Sequence, residues 1–148
     1  MDAIQITATT EPKPEDTKII DQGIAEYNLQ KIGPQKYTPV ASFAKKDGKI
    51  IGGITGNLFW NYLYVDLMWI HEDHRGKGTG KRLIDAVEKL AVENGIFRSH
   101  LCTASFQSLG FYQKCGYSVI GKLDDMPEGE TEYYLFKRLK PLLALKYI

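Results

Sequence analysis

The sequence predicts an α+β fold whose mixed, largely antiparallel sheet contains a central parallel strand pair flanked by helices. Asp47-Gly48 separates two strand patterns and is a strong signal for a two-residue hairpin. A helix pattern over residues 80–94 connects two further strand patterns, and strands joined by a helical crossover run parallel. The last two strand patterns, residues 117–122 and 131–138, are joined by an acidic loop and are expected to pair antiparallel.

The N-terminal region is predicted to contain a short strand and one helix. Residues 4–7 alternate between apolar and polar side chains, which predicts a strand. Pro12 and Pro14 then interrupt regular structure. Residues 15–31 carry apolar side chains at helical spacing, and Gly33-Pro34 ends this helix.

Three strands are predicted next, over residues 40–44, 50–60 and 62–70. The second contains three glycines, which indicate a bulge, the close approach of a substrate, or flexible packing. The third is nearly continuous in apolar residues and is expected to be central and buried. Asp66 interrupts it, so its carboxylate is either paired or placed at the pocket end of the strand, where it does chemistry.

A glycine-rich turn, His74-Arg75-Gly76-Lys77-Gly78-Thr79-Gly80-Lys81, joins the third strand to the next helix. Its order of strand, turn and helix directs backbone N–H groups and a helix N-terminus at one point, which suits a phosphate. The cations at this helix start oppose the helix dipole, and a bound polyanion would reverse that effect. A surface turn with solvated lysines is the alternative.

Two common nucleotide-binding motifs do not fit this turn. A Walker A loop would need glycine where Arg75 stands, and serine or threonine where Arg82 stands. A dinucleotide fingerprint would need its third glycine at Lys81 or Leu83. Both nucleotide motifs therefore fail at the residues on which they depend.

The pattern that does fit, Arg75-x-x-Gly78-x-Gly80, resembles the acyl-CoA pyrophosphate loop of the GNAT superfamily of N-acyltransferases. A second segment, Phe111-Tyr112-Gln113-Lys114-Cys115-Gly116-Tyr117, is similar to that family's Leu/Phe-Tyr-x-x-x-Gly-Phe/Tyr segment. One strand pattern, residues 97–103, lies between them. The resemblance implies a three-layer α/β arrangement in which helices flank a GNAT sheet. It also implies a single GNAT N-acetyltransferase domain over residues 1–140, with an apolar tail at residues 141–148.

The resemblance further implies transfer of an acetyl group from acetyl-CoA to a primary amine by direct attack in a ternary complex. Tyr112 matches the family tyrosine that approaches the sulfur of coenzyme A and protonates the leaving thiolate. Asp66 is the first candidate for the general base, directly or through water. Ser105 stands where the family often has asparagine against the cofactor arm. The implied cofactor-binding residues are Met68, Trp69, Ile70, Arg75, Gly76, Lys77, Gly78, Thr79, Gly80, Lys81, Ser105 and Tyr112.

Composition restricts the partners of the protein. A net charge of +1 gives no argument for nucleic acid or for an anionic membrane, and no apolar run approaches a membrane span of about 20 residues. The two cysteines are too few for a disulfide scaffold, and no metal-ligand spacing is present. We expect a cytoplasmic enzyme with reduced thiols, no metal, and a small-molecule or peptide amine as acceptor, and a homodimer is a candidate assembly. A non-catalytic acyl-CoA-binding regulatory module is the alternative.

Overall fold

The computed structural model describes residues 3–140, which fall into two compact units divided between Gln35 and Lys36. The apolar tail predicted at residues 141–148 lies outside the described residues. None of the helices within residues 3–140 combines the length and the hydropathy needed to cross a membrane.

The first unit contains the long helix α1, Pro14–Ile32. Pro14 lies in the first turn, where a missing N–H costs no helical hydrogen bond, and Glu15 and Asp16 there suit the helix dipole. The helix confirms the prediction for residues 15–31. The strand predicted at residues 4–7 is wrong, because no strand among the described residues pairs with this segment to satisfy its backbone.

The second unit is built on a six-stranded sheet with the spatial order β1-β2-β3-β4-β6-β5. Two helices and a short 3-10 turn, Glu72–His74, belong to the same unit. In chain order the regular elements are β1 (Thr38–Lys46), β2 (Lys49–Phe59), β3 (Tyr62–Ile70), α2 (Thr79–Glu93), β4 (Arg98–Ala104), α3 (Leu109–Lys114), β5 (Ser118–Asp124) and β6 (Thr131–Arg138).

Of the five strand contacts within residues 3–140, four are antiparallel and only that of β3 with β4 is parallel, as the sequence predicted. The predicted hairpin turn is present, with Asp47 and Gly48 both at positive φ, 50° and 75°. Strand β6 lies between β4 and β5, so the final hairpin folds back and pairs its second strand with the centre of the sheet.

The parallel pair is short and opens towards the ends of its strands. It contains only three pairs of partners, from Leu63 opposite Ser99 to Val65 opposite Leu101, although both strands continue beyond them. On the other side of β3 the register shifts, because Val65 and Leu67 lie opposite adjacent residues of β2. Asp66 is therefore the extra residue of a β-bulge. The separation of β3 from β4 begins at this bulge.

The core lies between the sheet and α2. Its fully buried side chains come from four strands and one helix, and α2 packs Leu83, Ile84, Val87 and Ala91 against the sheet. Strand β3 is central, but the prediction that it is buried throughout is wrong. Leu63 and Val65 are buried, whereas Leu67 and Trp69 are more than half exposed. The extra residue at the bulge reverses the alternation of side chains along β3, so Met68 and Ile70 pack against the core and Leu67 and Trp69 face away from it.

Candidate active site

A cleft of about 860 Å³ opens where β3 and β4 separate. One wall is the second half of β3, one end is the glycine-rich turn and the start of α2, and the opposite wall is the end of β4 with α3. The lining residues are Asp66, Leu67, Met68, Trp69, Ile70, His74, Arg75, Gly76, Gly78, Thr79, Gly80, Lys81, Cys102, Thr103, Phe106, Gln107, Ser108, Phe111, Tyr112, Lys114 and Cys115.

The turn presents the N-terminus of α2 to this cleft. Gly78 is the N-cap residue, with a left-handed φ of 80°, and no side chain within the described part of the chain caps the helix. Gly76 also has a positive φ, 74°. No acidic residue stands in the first turn of the helix. The helix start therefore combines N–H donors without a side-chain cap and a positive dipole end, which is a suitable site for an anion.

Two cations flank the helix start, and both have partners within the fold. The Nε atom of Arg75 donates a hydrogen bond to the carbonyl oxygen of Ile70 at 2.7 Å, which holds this side chain beside the end of β3. The Nζ atom of Lys81 lies 2.7 Å from the second carboxylate oxygen of Asp85, one helical turn away. This hydrogen bond raises the pKa of Lys81. Both side chains are positively charged at neutral pH and line the cleft.

Tyr112 lies on α3 at the other side of the cleft and is 6% exposed. Its ring makes edge contacts with the rings of Phe111 and Tyr117, at centroid distances of 5.2 and 5.9 Å. Burial raises the pKa of Tyr112 to about 12, with a smaller contribution from Cys115. Tyr112 therefore keeps its proton at neutral pH. An ordinary thiol has a pKa of about 8.5, well below that of Tyr112. The Tyr112 hydroxyl is therefore better suited to donating a hydrogen bond to a thiolate than to transferring its proton to it.

Asp66 and the two thiols also line the cleft. The Asp66 side chain is exposed at the bulge. Cys102 and Cys115 are both free, as predicted; Cys115 is buried and Cys102 is half-buried. Burial raises the pKa of each thiol, so both are protonated at neutral pH and poor nucleophiles.

The fold brings most of the predicted site residues together. Ten of the twelve residues expected to bind the cofactor line the cleft, together with Asp66, whereas Lys77 and Ser105 do not line it. The hydroxyl of Ser105 donates to the carboxylate of Glu130 and accepts a hydrogen bond from the N–H of Thr131 at 2.9 Å. Ser105 thus ties the end of β4 to the start of β6.

Sequence reasoning missed the apolar rim of the cleft. Leu67, Trp69 and Phe106 line it and are 66%, 54% and 60% exposed. Exposed apolar side chains grouped around a cleft favour ligand binding. Trp69 was among the residues expected to bind the cofactor, whereas nothing in the sequence distinguishes Leu67 and Phe106 from core residues. Among residues 3–140, no three His, Cys, Asp or Glu side chains are grouped to hold a metal ion.

A splayed parallel pair with a helix N-terminus at one end of its cleft and a buried tyrosine at the other is the architecture of an acyltransferase. Residues 2–117 match the model of the Acetyltransferase (GNAT) family. The chain belongs to this family and is an acetyltransferase, as the two sequence motifs predicted.

Two kinds of relative support this assignment. The chain is 41% identical over 93 residues to blasticidin-S acetyltransferase of Streptomyces morookaense, covering 62% of this chain and 68% of that protein. Its fold matches a crystal structure of an acetyltransferase from Bacillus cereus with a TM-score of 0.83 and 30% identity, covering 90% and 98% of the two chains.

A third relative was solved with a ligand. It is a putative streptothricin acetyltransferase from Bacillus anthracis in complex with acetyl coenzyme A. Its TM-score is 0.63 at 25% identity, covering 70% of this chain and 64% of that one.

Proposed function

We propose that this acetyltransferase moves an acetyl group from acetyl-CoA to a primary amine, by direct attack within a ternary complex. The observation that carries the proposal is the cleft itself. It joins a helix start suited to an anion to a protonated tyrosine through the gap between β3 and β4. A donor with a diphosphate at one end and a thioester at the other fits these two ends.

The residues of the turn fit the diphosphate of coenzyme A. The N–H groups between Gly76 and Lys81 supply donors, and Arg75 and Lys81 supply positive charge. The second half of β3 has no partner strand on its β4 side within residues 3–140. Its backbone at residues 68–70 is thus available to the amide groups of the pantetheine arm, in the manner of an added strand.

The reaction needs alignment more than a nucleophile from the protein. The amine nitrogen attacks the thioester carbonyl carbon, the C–S bond breaks, and the thiolate leaves. Tyr112 would donate a hydrogen bond to this thiolate as negative charge develops on the sulfur. Asp66, exposed at the bulge beside the gap, would take the amine proton directly or through water.

The acceptor is proposed to be a small cationic amine. Two carboxylates lie near the gap between β3 and β4. Asp66 is on β3, and Glu132 is on β6, opposite Ala104 at the end of β4. Their negative charge favours a protonated amine. The apolar rim formed by Leu67, Trp69 and Phe106 favours an acceptor that also has an apolar or planar part. The similarity to blasticidin-S acetyltransferase supports the same class.

The decisive test is the release of free thiol from acetyl-CoA in the presence of an amine panel. The panel would contain blasticidin S, streptothricin, simple diamines and peptides with free N-termini. We expect turnover with at least one cationic small molecule, and mass spectrometry of its product should show one added acetyl group on nitrogen. Tight binding of coenzyme A without turnover on any amine would instead favour a regulatory acyl-CoA-binding module.

A further inference from the structure

Behind the cleft, a buried chain of polar side chains connects α2, β4 and β6 to Tyr117, which lies between α3 and β5. The Tyr117 hydroxyl donates to Glu88 Oε2 of α2 at 2.9 Å and lies 2.7 Å from the Ser99 hydroxyl of β4. The Nζ atom of Lys137, on β6, donates to Glu88 Oε1 at 2.7 Å. Glu88, Ser99 and Tyr117 are each less than one-tenth exposed.

This network is costly to build and therefore needs an explanation. Burying a carboxylate is strongly unfavourable unless it is paired and hydrogen-bonded, and apolar residues of similar volume would often be at least as stable. Both Glu88 oxygens are satisfied, so the arrangement is a complete network rather than an isolated ion pair. Complete networks of this kind fix the relative geometry of the elements that they connect.

Gly116 is the residue that makes the network fit. It has a φ of 95°, which favours glycine, and a Cβ there would lie 3.3 Å from the Cε atom of Lys137. The stem of Lys137 passes this position on its way to Glu88. Gly116 therefore leaves room for the Lys137 side chain beside Tyr117, so that both side chains reach Glu88.

The network also lies directly behind Tyr112. The Tyr117 ring contacts the Tyr112 ring edge-on at 5.9 Å, and the Tyr117 N–H donates to the Tyr112 carbonyl oxygen at 3.0 Å. Glu88 belongs to α2, the same helix whose first turn faces the cleft. Tyr117 therefore connects the helix that would hold the diphosphate to the residue that would face the sulfur.

We propose that Glu88 is a positioning residue, which sets Tyr112 at the correct distance from the start of α2 by holding the Tyr117 hydroxyl. The inference rests on the proposed role of Tyr112 in acetyl transfer. It extends the site to a carboxylate that does not line the cleft. Loss of the hydrogen bond between Glu88 and Tyr117 would leave the binding of the diphosphate at the start of α2 intact and would displace Tyr112 from the thioester.

The first experiment compares Glu88→Leu with Glu88→Gln. A displacement of about 1 Å at a reacting group can cost about 100-fold. We expect Glu88→Leu to lower kcat between about 10-fold and 100-fold while KM for acetyl-CoA changes less than about twofold. Glu88→Gln can bond both neighbours and should recover most of the loss. The control is Glu93→Gln on the same helix, where the exposed carboxylate lies 3.9 Å from Lys89.

The second experiment is a double-mutant cycle of Glu88→Leu with Tyr112→Phe, with the fold of each variant checked by circular dichroism. If Glu88 acts through Tyr112, its substitution should lower kcat little further once the Tyr112 hydroxyl is gone. If Glu88→Leu lowers kcat equally in the wild-type and Tyr112→Phe proteins, or raises KM with kcat unchanged, the role of Glu88 is overturned while the role of Tyr112 stands. An unchanged kcat in Tyr112→Phe would overturn the role of Tyr112 and the inference with it. If Glu88→Leu does not fold, Tyr117→Phe replaces it in the cycle.

Discussion

Gly80 lies against the ring of Phe111, so the two motifs of the sequence touch each other in the fold. A Cβ placed on residue 80 would be 3.1 Å from the Cε2 and Cζ atoms of Phe111 and 3.5 Å from the Cδ1 atom of Ile70. Phe111 directly precedes Tyr112 on α3, and Gly80 is in the first turn of α2. The space at Gly80 therefore sets how closely the helix start and the tyrosine approach.

Gly80→Ala is expected to impair catalysis more than stability. Alanine is favoured over glycine in a helix by about 0.5–1 kcal/mol, which offsets the cost of moving the Phe111 ring by a few tenths of an ångström. We expect the free energy of unfolding to change by less than about 1 kcal/mol. The kcat/KM for acetyl-CoA should fall about tenfold, because Tyr112 moves with its neighbour.

The matched control is Gly110→Ala, at the second position of α3, where a Cβ meets nothing within 4 Å. It should show the helix-propensity gain without the catalytic loss. The double variant Gly80→Ala/Phe111→Leu should regain activity if the contact is the cause. Equal kcat/KM values for the two alanine variants would contradict the argument.

Charge at the N-cap of α2 provides a second prediction. Aspartate and asparagine both tolerate the left-handed conformation of Gly78, so Gly78→Asp and Gly78→Asn differ mainly in charge. We expect Gly78→Asp to raise the Kd for coenzyme A at least about tenfold more than Gly78→Asn, because its carboxylate would face a diphosphate. Isothermal titration calorimetry measures both values. Equal Kd values would place the diphosphate elsewhere.

Much of the fold could be predicted from local signals. The hairpin at Asp47-Gly48, the bounds of β3 and the parallel pair each follow from turn chemistry or from strand-to-helix order. The order of the last strands could not be predicted, because β6 pairs with both β4 and β5 and no local pattern contains that information. The strand predicted at residues 4–7 failed because alternation alone provides no partner.

The location of a residue in the cleft was predictable where it depends on the backbone, as at Gly78, which is the N-cap of α2. It was not predictable where the role depends on a distant partner. Ser105 bonds Glu130 and Thr131, some 25 residues away, and Glu88 bonds Lys137, 49 residues away. Before the structure, Glu88 was one of several charged residues on a helix. The cytoplasmic location and the oligomeric state stay predictions.

Tyr112→Phe is expected to lower kcat and to leave KM for acetyl-CoA nearly unchanged. The substitution removes one hydroxyl and keeps the ring contacts with Phe111 and Tyr117. Loss of a hydrogen-bond donor to the thiolate should reduce kcat about 100-fold, within the range for general acid or electrostatic groups. Steady-state kinetics with saturating amine measures the effect. A variant with wild-type kcat would remove Tyr112 from the mechanism.

The two buried tyrosines predict a loss of stability in alkali. Burial raises the pKa of both Tyr112 and Tyr117, so the unfolded chain releases these protons first, from about pH 10. The two tyrosines stabilise the fold fully below that pH. Their contribution to the free energy of unfolding falls as the pH rises towards their pKa values in the folded protein. Urea denaturation at increasing pH should therefore show a steeper decline in the native protein than in Tyr112→Phe. An equally steep decline in both proteins would contradict the contribution of Tyr112 to the alkaline loss of stability.

Asp66→Asn tests whether the bulge supplies the general base. Asparagine keeps the size and polarity of the side chain and removes its ability to accept a proton, and the exposed position at the bulge should tolerate the change. We expect kcat/KM for the amine to fall about 100-fold at neutral pH, a typical loss for a general base. The loss of kcat/KM relative to the wild type should shrink as the pH approaches the pKa of the amine, because an amine that is already unprotonated needs no base. A constant deficit at every pH would instead indicate that Asp66 only attracts the cationic acceptor, with water as the proton carrier.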